Sequence, residues 1–300
     1  MKKFNLTIAA LCGYALLSGA VVSLSSCSEE VTNLQSQESG TCAPVRVRVN
    51  DLSISMGDFA GTRAVQDPAN YSEVGAITLA FYEGTTEVYQ TTQLKGSATS
   101  FGDFSLSLPL GTYTMVVIGR DNVDGDVFTL TSPTVAGFSS EKVRETFCAT
   151  QEVVVSSSTA INLSVTLNRI VPALAIVSTD NKPDEVTKIR TTYSAGGKTF
   201  NPSTGLAIEN TGFSVVNNTN KAGQPIGIAN FAFLATDEQT MNITIEALDA
   251  NDQVVISREV EDVPLKRNRK TTLTGDIFTK TGTATIRLET SWLTATTVNL

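Results

Sequence analysis

The chain of 300 residues contains no histidine. That absence removes the Ser-His-Asp and Cys-His catalytic constellations, imidazole metal ligation and histidine pH switches. Ser-Lys pairs, paired carboxylates and cofactor chemistry stay open. Charged residues are scarce, 17% of the total, and 22 Lys plus Arg against 30 Asp plus Glu leave a net charge of −8. An acidic chain repels phosphate backbones, which counts against nucleic acid as a partner. Tryptophan occurs once, at Trp292, so platforms for stacking on sugar rings are few. No G-x-S-x-G elbow, phosphate loop or dinucleotide fingerprint occurs, and no cofactor or metal is implied. What is present is 41% apolar residues and abundant Ser and Thr, too apolar for disorder and long enough for one large domain or two. The composition reads as all-β and non-enzymatic.

The first 26 residues read as an address. Lys2 and Lys3 precede an apolar stretch from Leu6 to Leu24, and Leu24-Ser25-Ser26-Cys27 follows. A charged start, a short apolar core and small residues before a cut make a secretory signal. The cysteine at the cut resembles a bacterial lipobox, which implies acyl chains on Cys27 and a protein tethered to a membrane. An uncleaved anchor, or an ordinary signal with an incidental cysteine, is the plainer alternative. Residues 27–41 are polar and read as a flexible leash carrying the lipid. In an oxidising compartment Cys42 and Cys148 either pair or stay as two buried thiols.

From Cys42 onward, period-two alternation recurs. Val45, Val47 and Val49 alternate with Arg46 and Arg48, and the phase flips at Asn50-Asp51 before Leu52 and Ile54, as at a turn or bulge. Ile77, Leu79 and Phe81 form one strand face, and Phe104, Leu106 and Leu108 another. Ile161, Leu163, Val165 and Leu167 give the clearest alternation. A second series covers 173–178, 186–194, 231–234, 241–249, 253–260, 270–278 and 283–289. Ala195-Gly196-Gly197-Lys198 and Asp249-Ala250-Asn251-Asp252 read as hairpin turns. Residues 139–147 allow one helical turn. Many short strands divided by turns predict sandwiches, here one over 42–167 and one over 168–300.

Few residues suggest chemistry. Asp121-Asn122-Val123-Asp124-Gly125-Asp126 fails calcium-loop spacing and reads as a solvated turn. Lys266-Arg267-Asn268-Arg269-Lys270 is a basic run, either a solvated strand edge or a docking patch. Trp292 reads as a core plug. Arg46, Arg48 and Arg63 are candidate cuts for an arginine-specific protease. Arg63 suits best, because Gly61-Thr62-Arg63-Ala64 is a small-residue segment.

Together these residues resemble the FimB-like fimbrial subunit family of type V pili. The resemblance rests on the Cys27 lipobox and on the segments 61–65 (GTRAV), 80–84 (AFYEG), 108–117 (LPLGTYTMVV), 145–151 (ETFCATQ), 167–169 (LNR), 233–240 (FLATDEQT) and 263–269 (VPLKRNR), taken in order. It implies two transthyretin-like β-sandwiches in tandem and an outer-membrane lipoprotein displayed at the cell surface in a fimbria. Its partners would be other pilus subunits joined by β-strand addition, and the outer membrane through the lipid on Cys27. In that family stalk subunits lose their first strand to an arginine-specific protease, whereas anchors keep their lipid. The resemblance favours an anchor or accessory subunit. The alternatives are a stalk subunit cleaved after Arg63 and a surface glycan-binding lipoprotein.

Overall fold

The computed structural model describes residues 41–55, 63–219, 223–279, 286–291 and 296–298. The first half supplies ten strands: β1 (Cys42–Ser55), β2 (Arg63–Gln66), β3 (Ala76–Glu83), β4 (Thr86–Leu94), β5 (Asp103–Pro109), β6 (Gly111–Arg120), β7 (Phe128–Ser132), β8 (Val135–Phe138), β9 (Thr146–Val155) and β10 (Ile161–Arg169). The fold is all-β: among the described residues the only helical element is the 3-10 turn Pro68–Asn70, capped by the Asp67 carboxylate. Residues 139–147 do not form the helical turn expected of them. Val143 instead bridges Phe231, and β9 begins at Thr146.

Eight of these strands form one hydrogen-bonded sheet in the order β2-β1-β10-β9-β6-β3-β4, with β5 also on β1. It folds over at the β9–β10 corner, where only Phe147 and Cys148 pair with Arg169 and Asn168. The two layers thus face each other as a sandwich. Val45, Val47 and Leu52 from β1 meet Ile77, Leu79 and Phe81 from β3 and Tyr113, Met115 and Val117 from β6 in one buried cluster. Burial of such alternate apolar residues is the main driving force for the layers to close.

The second half adds β11 (Ala173–Ser178), β12 (Lys188–Tyr193), β13 (Thr199–Asn201), β14 (Leu206–Ala207), β15 (Phe213–Asn218), β16 (Gly227–Phe231), β17 (Glu238–Leu248), β18 (Val254–Lys266), β19 (Lys270–Gly275), β20 (Ile286–Ser291) and β21 (Thr296–Val298). One sheet runs β16-β11-β19-β20-β21 and another β15-β12-β17-β18, with a second apolar cluster between them. The Asp249–Asp252 turn closes the β17–β18 hairpin, with Asp252 at φ 64. The Ala195–Lys198 turn does not close a hairpin. It hands the chain from β12 to β13 in a different sheet, and glycine is required at 196 both for its φ of 78 and because a Cβ would lie 2.8 Å from the Phe233 carbonyl oxygen.

A fourth sheet, β14-β13-β8-β7, straddles residues 167 and 168, since Thr199 and Phe200 pair with Gly137 and Ala136. Beneath it lies a third buried cluster drawn from both sides: Ala80, Tyr82, Val116 and Ile118 meet Ile170, Val171, Phe200 and Phe233. Phe233 stacks on Phe200 at 4.4 Å and on Phe138 at 6.4 Å between ring centroids. Strands β3 and β6 are therefore covered on both faces, which explains the unbroken apolar run Met115–Ile118.

A buried ion pair locks the β9–β10 corner. Arg169 and Glu145 are in contact, their side chains 3% and 7% exposed. The Tyr71 hydroxyl donates to Glu145 at 2.9 Å and accepts from Arg169 at 2.9 Å, and a second Arg169 N–H donates to the Asn268 side-chain oxygen at 3.2 Å. Burial pushes the Tyr71 hydroxyl up to about 12, with the Glu145 charge adding to the effect. The first, middle and last thirds of the chain thus meet at one charge pair. Replacing Arg169 with Met strands the Glu145 carboxylate in the interior, and the expected cost is about 3–5 kcal/mol by urea denaturation.

Candidate functional site

The first strand carries two of the three candidate processing arginines and is the most heavily shared strand of the first sheet. Along β1, Ala43, Val45, Val47 and Val49 are buried, and Pro44, Arg46, Arg48 and Asn50 between them are exposed. On one edge β1 runs parallel to β10, from Val45 opposite Ile161 to Ser53 opposite Asn168. On the other it pairs antiparallel with β5 over Cys42–Arg48 and with β2 over Leu52–Ser55. It is thus the shared partner of three strands. The expected phase flip is a bulge in the β1–β10 ladder between Val49 and Asp51, not a turn between two strands.

Burying Val45, Val47, Val49 and Leu52 is worth about 6–12 kcal/mol, at about 1.5–3 kcal/mol for each side chain. That is comparable with the whole stability of an ordinary domain, about 5–15 kcal/mol. A molecule without β1 would carry an open apolar groove between β5 and β10, flanked by two unpaired strand edges. Such a groove takes a strand by backbone hydrogen bonding, with alternate side chains filling pockets.

The candidate processing arginines fall in different settings. Arg46 and Arg48 lie inside β1, paired through the backbone on both edges, so a protease cleft cannot engage them while β1 is seated. Arg46 also donates through Nε to Asp103 at 2.9 Å, and this guanidinium holds the Asp103 carboxyl below its usual range. Arg63 is the first residue of β2, opposite Ser55, the last residue of β1. A cut after it would separate β1 from the rest of the chain without touching β3. Cys27 and its lipobox, the leash to residue 40, and Trp292 lie outside the described residues.

The Cys42–Cys148 disulfide is not formed. Cys148 is a free thiol, buried on β9 between Ile118 of β6 and Asn168 of β10, whereas Cys42 opens β1 opposite Pro109. Burial pushes the Cys148 thiol up to about 12, and its Sγ approaches the Pro202 carbonyl oxygen at 3.5 Å. Part of the basic run is engaged within the fold. Lys266 pairs with Glu238 at 2.8 Å, Arg267 donates to the Thr204 carbonyl at 2.7 Å, and the Asn268 N–H donates to the Val171 carbonyl at 3.1 Å. In the acidic turn, Arg144 takes the Asp126 carboxylate at 2.9 Å. A cavity of about 400 Å³ where β9 and β10 diverge is lined by polar groups such as Thr150, Gln151, Ser164 and Arg267, with no aromatic ring among its lining residues.

The comparisons bear on the fold. The model of a family of unknown function, DUF6562, matches residues 62–297. A search of curated proteins gives no match. Among solved structures, the chain is similar to an inferred adhesin from Bacteroides ovatus, with 12% identity, TM-score 0.53, and coverage of 86% of this chain and 95% of that one. It is similar to the fimbrial anchor protein Mfa2 from Porphyromonas gingivalis, with 9% identity, TM-score 0.50, and coverage of 86% and 99%. It is also similar to an inferred polysaccharide-binding protein from Bacteroides thetaiotaomicron, with 10% identity, TM-score 0.51, and coverage of 86% and 98%. At these identities what is shared is the fold, which this chain has in common with an inferred adhesin and with the anchor protein Mfa2.

Two measurements test the geometry of β1 and of the buried thiol. Leu52→Ala should cost about 2–5 kcal/mol in urea denaturation, and Arg48→Ala, on the outward face, less than about 0.5 kcal/mol. Native protein treated with iodoacetamide should leave the Cys148 peptide unmodified by mass spectrometry, and labelling should appear only on unfolding.

Proposed function

The chain belongs to the DUF6562 family, and from that premise we propose that it is a lipid-anchored fimbrial subunit, joined to its neighbours by β-strand addition and not an enzyme. The observation that carries the reading is β1 itself: a strand held on both edges, with its inward residues in the core, and with Arg63 at the head of the next strand, β2. The match to the family model begins at residue 62, after β1 and one residue before Arg63. The likeness to a fimbrial anchor protein supports the same reading.

In this reading the polypeptide leaves the cell under its signal, is acylated on Cys27, and reaches the outer-membrane surface tethered by residues 27–41. Its two halves, 42–167 and 168–300, are the two transthyretin-like sandwiches of a pilus subunit. The state of Arg63 then selects the role. With the bond after Arg63 intact, β1 stays seated, the lipid stays attached, and the subunit serves as an anchor or accessory component. With the bond cut, β1 and the lipid leave together, and the vacated groove must accept another subunit's strand, because the exposed apolar row is too costly to leave open.

The N-terminus of the surface-displayed protein, read together with SDS-resistant assembly, tests the proposal. An acylated Cys27 on protein that co-purifies with fimbriae supports the anchor role, and a new terminus at Ala64 on SDS-resistant polymers supports the processed role. Protein that remains strictly monomeric, in cells whose fimbriae assemble normally without it, would overturn the reading.

A further inference from the structure

The hold of β10 on β1 contains a mismatch. Strand β10 alternates without interruption, placing Ile161, Leu163, Val165 and Leu167 at successive alternate positions. Strand β1 matches the first three with Val45, Val47 and Val49, but meets Leu167 with Leu52. One residue too many is accommodated between Val49 and Asp51, where Asn50 is exposed and its side-chain amide donates to the Ser164 hydroxyl. An extra residue in a ladder leaves backbone groups unpaired and disrupts the pairing locally. The opposite edge gives no continuous support there. Pairing with β5 ends at Arg48, the Val49 N–H reaches the Gly102 carbonyl, and pairing with β2 begins only at Leu52.

We infer that β1 is a placeholder whose bulge weakens its grip, and that the groove is better filled by a strand of another subunit that alternates without an extra residue. This inference rests on the strand addition proposed above and specifies the strand that is added. The incoming strand runs parallel to β10 and presents five apolar side chains at successive alternate positions. The first is small, because Ala43 is fully enclosed. The outward position equivalent to Arg46 favours a cation, because Asp103 faces it. The stretch 292–300 of this chain does not fit. One phase offers Trp292, Thr294, Thr296, Val298 and Leu300, with threonine at two of the five places, and the other offers Leu293, Ala295, Thr297 and Asn299. The preferred donor is therefore a strand of a different chain, not this stretch of a second copy.

The test uses the full mature chain with a site-specific protease sequence placed just before Arg63. It is cut after folding, so that β1 stays seated without a covalent link. Labelled peptides are then added: the native 42–55 sequence, the same peptide lacking Asn50, and the native peptide carrying Val47→Asp. The peptide lacking Asn50 should displace the resident strand at a concentration about tenfold lower than the native peptide, and the Val47→Asp peptide should not enter. In the uncut chain, deletion of Asn50 should raise the urea midpoint. Equal or weaker displacement by the peptide lacking Asn50, or a lowered midpoint in the uncut chain, overturns the placeholder inference and leaves strand addition standing. Failure of every peptide to exchange into cut protein that retains its native circular dichroism overturns the strand-addition reading itself.

Discussion

When β1 is lifted out, β5, β2 and β10 lose the partner they share, and the core between the two layers opens along its length. Each backbone hydrogen bond of such a ladder contributes only about 0.5–1.5 kcal/mol net. The larger contribution comes from the valines and Leu52 that the ladder holds in register against Leu79, Phe81 and Met115. Hydrogen bonding sets direction and register, and apolar burial supplies the stability. This division of labour is what the proposed strand addition would draw on. On that proposal, a segment that restores both the ladder and the alternate apolar row would restore the sandwich, whatever chain it belongs to.

The buried Arg169–Glu145 pair acts on a different part of the problem. It sits where β9 leaves one layer and β10 enters the other, and Tyr71, downstream of Arg63, bonds to both charges. Removing β1 leaves these partners untouched. The segment after the proposed cut is thereby held to the corner by its own hydroxyl, and Asn268 ties the same corner to the turn between β18 and β19. A buried pair of this kind is weak evidence for net stability, but it fixes which elements meet.

Much of the fold was legible in the sequence because period-two alternation is a local signal. The rows Ile161–Leu167 and Val45–Val49, and the flip at Asn50-Asp51, appear in the structure with the faces they imply. Residues 139–147 were less legible. Their composition permits a helical turn, yet Val143 is held by a bridge to Phe231, a partner far away in the chain. The same limit applies to the fourth sheet, which joins strands from both sides of residue 167, and to Cys148, whose position opposite Asn168 and Ile118 takes it away from Cys42. The unbroken apolar run in β6 did carry a signal of burial on both faces, one that an alternation search passes over. At the candidate site, Arg63 was visible as a small-residue segment. The two-edged confinement of Arg46 and Arg48 depends on strand pairing, which no local pattern records.

The aromatic stack of Phe138, Phe233 and Phe200 has a mechanical consequence. A swing of one half against the other would slide these rings apart and admit water to a core that both halves own. Bending within a subunit is therefore resisted by dry ring contacts, whereas a joint made by an inserted strand has only its ladder and row of pockets to flex. In a chain of such bodies, compliance would collect at the joints, and each body would pass load along with little change in its own shape.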